Sequence, residues 1–123
     1  MEEMAYLCFR RGELHYAITN HKIIRVLKET DLQPLPFADD VYQGVLLVEN
    51  SLAAIVDIEA GHKKEAGEGY FIFLEFKGDV IGVCADELEG IERISDQEWV
   101  EGDLPYASLC CEIRHKRIYL LQP

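Results

Sequence analysis

Short runs of alternating apolar and polar residues, separated by turn signals, dominate the chain. Residues 6–10 alternate, Arg11-Gly12-Glu13 interrupts them and residues 14–18 return, which predicts a hairpin. The same pattern predicts three more hairpins: residues 42–48 with 52–58, residues 70–76 with 80–85, and residues 107–113 with 116–121. With a further strand over residues 90–95 there are about nine strands, which is typical of an all-β barrel or sandwich.

Residues 20–29 are the one segment with a helical period. Ile23, Val26 and Leu27 recur at spacings of three and four residues, and Asn20 can cap the N-terminus. The pattern therefore predicts one short amphipathic helix in an otherwise all-β chain.

Two segments lack any period and are predicted to be loops. Residues 59–69 combine three glycines with charge, which favours a mobile loop. Residues 96–105 belong to an acidic stretch, because residues 86–103 hold eight acids and only Arg93 as a base. We interpret this stretch as a solvated face, or as a docking surface for a basic partner.

The charge balance excludes several classes of partner. The 123 residues include 12 Lys and Arg against 23 Asp and Glu, a formal net charge of −11. Nucleic acids and anionic membranes both attract basic surfaces, so we expect no nucleic-acid binding and no membrane insertion. The acidic start, Met1-Glu2-Glu3-Met4, lacks the basic region of a secretory signal. We therefore expect a single cytoplasmic domain over residues 1–123.

Residues that could carry chemistry are few. The cysteines lie in apolar runs without C-x-x-C spacing, which predicts reduced core thiols: Cys8, Cys84, Cys110 and Cys111. The histidines show no metal-ligand spacing and are predicted to be exposed and single: His15, His21, His62 and His115. No phosphate-binding loop or nucleophile motif is present, so we expect no catalysis, no metal and no cofactor.

Three segments occur in a distinctive order and spacing. The first runs from Tyr6-Leu7-Cys8-Phe9 through Tyr16-Ala17-Ile18 to Ile23 and Val26. The second joins Gly44-Val45-Leu46-Leu47-Val48 to Ile55-Val56-Asp57-Ile58. In the third, Gly82, Asp86, Gly90 and Ile94 match a V-G-L-x-V-D-x-V-x-G-V-x-x-I pattern. Together, over nearly the whole chain, they resemble the CheW-like domain of bacterial chemosensory systems.

The resemblance implies a fold and a function. The fold would be two small five-stranded SH3-like β-barrels packed side by side within one domain. The function would be that of a non-catalytic adaptor, which couples the cytoplasmic tip of a chemoreceptor to the regulatory domain of a CheA-type histidine kinase. Structural family positions would be Gly44, Asp57, Gly82, Asp86 and Gly90. Partner-binding positions would be Ile23, Arg25, Val26, Leu47, Glu49 and Asn50.

Two of these positions depart from the family pattern in charge. Glu49 stands where the family usually has an arginine, and Arg25 stands where it usually has an acid. Because both signs are reversed together, we expect an ion pair between Arg25 and Glu49. The alternative is that Arg25 pairs with Glu29 on its own helix and Glu49 faces water.

Other functions remain open at this point. A small-molecule-sensing barrel, or a minor enzyme that uses a thiol or the acidic stretch, fits the same composition. A degenerate copy that only occupies a partner's interface is a third possibility. A fast-reacting Cys110, or a large thermal shift with a metabolite, would favour the sensor or the enzyme.

Overall fold

The computed structural model describes residues 3–29, 42–58, 69–104 and 107–121. Regular structure within these residues is β-strand, apart from two 3-10 turns at Asn20–Lys22 and Asp96–Glu98. The strands are β1 (Glu3–Arg11), β2 (Leu14–Thr19), β3 (Ile23–Lys28), β4 (Tyr42–Val48), β5 (Ser51–Val56), β6 (Tyr70–Phe76), β7 (Asp79–Ala85), β8 (Glu87–Ser95), β9 (Val100–Leu104), β10 (Ala107–Ile113) and β11 (Lys116–Leu120). In this part of the chain no helix is long and apolar enough to cross a membrane.

The segment predicted as a helix is a strand, so the helix prediction over residues 20–29 is wrong. After the 3-10 turn the chain forms β3, which pairs antiparallel with β6. The register of this pair shifts between Ile23 and Arg25, and such a bulge interrupts the strict alternation of faces. The bulge therefore puts Ile23 and Val26, three residues apart, on the same face of the sheet, and this spacing imitates a helical period.

One compact unit comprises Met1–Lys22 and Glu87–Pro123. Its six-stranded sheet has the order β8-β1-β2-β11-β10-β9, and every neighbouring pair is antiparallel except β2 and β11. Alternate residues of these strands face one side of the sheet. They form a buried core of Tyr6, Cys8, Ala17, Ile94, Cys111, Ile118 and Leu120.

The second compact unit comprises Ile23–Asp86. Its five-stranded sheet has the order β3-β6-β7-β5-β4, in which β5 and β7 run parallel. The core of this unit is made by Val48, Ala53, Ile55, Phe71, Phe73 and Cys84. Strands β3 and β4 therefore form the two edges of the sheet.

The all-β class and the four hairpins are confirmed, while the barrel description and part of the acidic loop differ. The sheets have six and five strands, and neither closes into a barrel within the described residues. Part of the predicted acidic loop is strand β9. It is held by backbone hydrogen bonds to β10, which the acidic composition of the segment does not predict. The predicted loop over residues 59–69 lies outside the described residues except for Gly69.

The positions marked as structural by the resemblance have local roles that can be described. Gly82 lies in a tight space, since an added Cβ would come within 2.5 Å of Ile55 Cδ1. Gly90 has a φ of +104°, which L side chains rarely adopt. Gly44 is buried next to a register shift between β4 and β5. Asp57 is buried, and Asp86 is half-buried.

Candidate functional site

The most exposed apolar side chains in the described part of the five-stranded unit lie at the end of one hairpin. Leu47 on β4 is 67% exposed and Leu52 on β5 is 70% exposed. The two leucines are cross-strand partners. Their neighbours Val48 and Ala53 are buried in the core, so alternation along each strand turns both leucines outward.

A two-residue turn joins the strands beside these leucines. Glu49 and Asn50 have φ values of 48° and 67°, the left-handed conformation that a type I′ turn requires at both positions. Asparagine adopts this conformation readily, whereas glutamate does so rarely. The tight turn places an exposed carboxylate and an exposed amide next to the leucine pair. We refer to Leu47, Glu49, Asn50 and Leu52 as the hairpin-tip patch.

The hairpin-tip patch adjoins an edge of the sheet. Strand β4 is the last strand in the sheet order, and no other described strand pairs with its outer side. An exposed edge offers backbone donors and acceptors that can pair with another chain. This part of the unit therefore combines apolar side chains, a charged group and a strand edge that no other described strand covers.

The structure separates the six partner-binding positions expected from the resemblance. Leu47, Glu49 and Asn50 come together in the hairpin-tip patch, whereas Ile23, Arg25 and Val26 lie on β3 at the opposite edge. The edges are four inter-strand steps apart, each step about 4.8 Å along the sheet.

The expected ion pair between Arg25 and Glu49 is absent from the contacts of the described residues. That prediction is wrong because it placed Arg25 on a helix beside the hairpin. Leu52 was missing from the predicted set. The alternation that buries Ala53 and Ile55 would have marked it as outward-facing.

A surface groove of about 660 Å³ lies in the six-stranded unit, where residues of the second 3-10 turn, β9, β10 and β11 line it. It is lined by Glu98, Val100, Glu101, Gly102, Asp103, Cys110, Cys111, Glu112 and Arg117. The Tyr119 hydroxyl donates a hydrogen bond of 3.1 Å to Asp103 Oδ1 at its side. The acids outnumber the single arginine, so the groove is negatively charged at neutral pH.

The cysteines are buried, as predicted, and those with shifted acidity are hard to ionise. Burial, with help from Glu98 and Cys110, raises the pKa of the Cys111 thiol to about 11. Burial, with Glu92 and Glu89, raises the pKa of Cys8 to about 12. A nucleophilic cysteine needs the opposite shift, because the thiolate is the reactive form.

The acidic stretch is only partly the solvated face that the sequence predicts. Asp96, Glu98, Glu101 and Asp103 are exposed, whereas Glu89 and Glu92 are half-buried in ion pairs. His15 is half-buried against Glu89, which corrects the prediction that it is exposed and single. His21 and His115 are exposed, and His62 lies outside the described residues. The described residues contain no group of three potential ligands that could hold a metal ion.

Comparison with known proteins finds this architecture in a solved structure. The structure is similar to the crystal structure of the scaffolding protein TtCheW from Thermoanaerobacter tengcongensis, with a TM-score of 0.88 and 14% sequence identity. The match covers 99% of this chain and 90% of that one, and at this identity it shows the fold alone. A search of curated protein sequences gives no match. The sequence model of the CheW-like domain matches residues 5–106, which is most of the chain, and the protein therefore belongs to the CheW-like domain family.

Proposed function

We propose that this protein is a non-catalytic chemosensory scaffold, which couples a receptor or another sensor to a CheA-type histidine kinase through protein contacts. The observation that carries the proposal is the family match over residues 5–106. The solved structure with the same fold is itself described as a scaffolding protein, which supports the same class of function.

The kinase contact is assigned to the hairpin-tip patch. Burial of a leucine side chain contributes about 1.5–3 kcal/mol, so two adjacent exposed leucines can anchor an interface. Glu49 at the rim would favour a partner surface with a basic group and reject one with an acid. Contacts of this modest size give a dissociation constant on the micromolar scale.

The receptor or sensor contact is assigned to β3. A scaffold has to hold two partners at once, and the two edges of the five-stranded sheet provide separate surfaces. On β3, Arg25 is exposed while Ile23 and Val26 are half-buried. This edge is therefore less apolar at its surface than the hairpin-tip patch, which fits a weaker contact.

A thiol-dependent enzyme is the less favoured alternative. The raised pKa values of Cys8 and Cys111 keep both thiols protonated at neutral pH. Cys110 is 7% exposed, and its Sγ lies 3.9 Å from the carbonyl oxygen of Glu101. The two raised pKa values oppose the thiolate that such an enzyme would use.

The test is to measure by calorimetry how tightly the protein binds the regulatory domain of the CheA-type kinase from the same organism. The wild type should bind with micromolar affinity. The double variant Leu47→Ser/Leu52→Ser should bind at least about tenfold more weakly, because the apolar anchor is lost.

Ile91→Ser is the matched control. Ile91 is 55% exposed but lies on β8 in the other unit, so its loss should leave the affinity unchanged. Absence of a complex at roughly 100 µM would contradict the coupling function. Unchanged affinity in the double leucine variant would contradict the assigned site while leaving the coupling function in place.

A further inference from the structure

A bulge in the six-stranded unit redirects one glutamate of the edge strand β8. Cys8 on β1 pairs with Gly90, and the next residue, Phe9, pairs with Leu88. Glu89 is therefore the extra residue, without a partner position on β1. The positive φ of Gly90, +104°, accompanies this local change of direction.

The redirected side chain connects strands that are not neighbours. The carboxylate of Glu89 lies 2.7 Å from His15 Nδ1 on β2 through Oε1, and 3.1 Å from Lys116 Nζ on β11 through Oε2. In the sheet order β8-β1-β2-β11, these contacts reach two and three strands away from the edge. The Glu89 side chain is only 16% exposed, so the contacts are partly shielded from solvent.

Other charged and titratable groups surround this carboxylate. A small cavity of about 40 Å³ beside it is lined by Cys8, Glu89, Glu92, Ile113, Arg114, Lys116 and Ile118. Arg114 is paired with Glu92. Arg10, the cross-strand neighbour of His15, donates to the carbonyl oxygen of Gly12 at 2.8 Å and contacts Glu87 at 3.4 Å. Cys8 stays a neutral thiol, because burial and the nearby acids raise its pKa to about 12.

Imidazole is the group in this set whose charge changes between pH 5 and pH 8. A carboxylate only accepts hydrogen bonds, so the contact of 2.7 Å requires a proton on Nδ1 of His15. The imidazolium always carries that proton and adds a charge–charge attraction. The neutral ring loses the attraction, and only one of its two tautomers has the proton on Nδ1.

We propose that His15, Glu89 and Lys116 form a pH-sensitive clasp that fastens the edge strand β8 across β1 to β2 and β11. In acidic solution the imidazolium and the ammonium both hold the Glu89 carboxylate. As the pH rises and His15 becomes neutral, Lys116 alone supplies a positive charge, and β8 opens more often. The clasp thus tightens when the imidazole is charged and loosens when it is neutral.

The test is amide hydrogen exchange of β8 in the full chain between about pH 5.5 and pH 8, expressed as protection factors corrected for the intrinsic rate. In the wild type the protection of β8 should fall about fivefold over this range, relative to β10. In His15→Gln the residue at this position no longer titrates, so the relative protection should not change with pH. His21→Gln is the matched control: His21 is exposed on the 3-10 turn of the same unit, and the wild-type response should persist.

Two outcomes would overturn the clasp. One is a wild-type pH response that survives unchanged in His15→Gln. The other comes from the wild type alone, and so does not depend on the variant folding. If the His15 ring is titrated by NMR and the β8 amides respond with a different midpoint from the ring, or not at all, His15 does not control the strand.

Discussion

At the scale of single residues, Gly82 shows how closely the five-stranded unit is packed. It lies on β7, and a Cβ at this position would come within 2.5 Å of Ile55 Cδ1 and 2.9 Å of Phe73 Cε1. Both neighbours are completely buried and have little room to move. We expect Gly82→Ala to lower the free energy of unfolding by about 1–3 kcal/mol, measured by urea denaturation.

A second substitution identifies the cause of this loss. Ile55→Val removes the Cδ1 methyl group that is nearest to the added Cβ. The double variant should therefore lose less stability than the sum of the two single variants. If the two losses simply add, the close approach to Ile55 is not what makes glycine necessary.

Glu89 provides a prediction about acid stability. Its burial opposes ionisation, but the hydrogen bonds from His15 and Lys116 outweigh that effect and hold the pKa of Glu89 below its ordinary value of 4.5. A carboxyl group with a depressed folded-state pKa adds stability above its unfolded-state pKa, and that stability is lost as the pH falls through the folded-state value.

Glu89→Gln should therefore flatten the acid limb of the stability curve. Urea denaturation from about pH 6 down to about pH 3 measures this limb. The wild type should lose its advantage over the variant as the pH falls through the carboxyl range. An equal slope in both proteins would show that Glu89 titrates alike in the folded and unfolded chains.

At the scale of secondary-structure elements, the β4–β5, β6–β7 and β10–β11 turns share one geometry but differ in sequence. The β6–β7 turn has Lys77 and Gly78 at φ values of 50° and 86°, and the β10–β11 turn has Arg114 and His115 at 51° and 67°. Glycine accepts the left-handed conformation without steric cost, whereas a side chain at that position is strained. The β10–β11 turn therefore stores strain that the β6–β7 turn avoids.

His115→Gly should stabilise the protein by about 0.5–1 kcal/mol, because it relieves this strain at an exposed position. The reverse substitution, Gly78→His, should destabilise by a similar amount, since no atom lies within 4 Å of an added Cβ there and only the backbone opposes it. Thermal or urea unfolding of both variants measures the effects. Changes of the same sign in the two variants would refute the explanation.

Strand β3 shows where local sequence is insufficient at this scale. The spacing of Ile23, Val26 and Leu27 satisfies a helical period, but a helix of this length is marginal without packing. Pairing with the apolar strand β6 satisfies the backbone hydrogen bonds of β3 instead. The bulge after Ile23 then puts Ile23 and Val26, three residues apart, on one face. The correct assignment depends on a partner strand more than forty residues away in the sequence.

At the scale of the whole molecule, the net charge of −11 opposes self-association. Exposed Leu47, Leu52, Ile91 and Val100 would otherwise favour it, as would the unpaired edge of β4 among the described strands. The protection should disappear near the isoelectric point of about 4.7.

Light scattering against pH tests this expectation. Scattering should rise as the pH approaches 4.7 and fall again on either side of that value. Leu47→Ser/Leu52→Ser should reduce the rise if the hairpin-tip patch is the adhesive surface. Scattering that changes neither with pH nor with the two leucine substitutions would show that charge does not control self-association.

The sequence by itself determined the features that depend on near neighbours in the chain. Four hairpins followed from period-2 alternation and turn residues, because both ends of a hairpin lie within about fifteen residues. The burial of all four cysteines followed from their apolar surroundings. The order and spacing of three segments also indicated the CheW-like family, which the match over residues 5–106 confirms.

The tertiary structure decided what depends on contacts between distant strands. It placed Arg25 and Glu49 on opposite edges of one sheet, so charges that look complementary in the sequence do not pair within the described contacts. It also brought His15, Glu89 and Lys116 together, although they are up to 101 residues apart (116 − 15). Sheet order and bulge position set these distances, and both arise from long-range pairing and packing, which no local pattern of residues encodes.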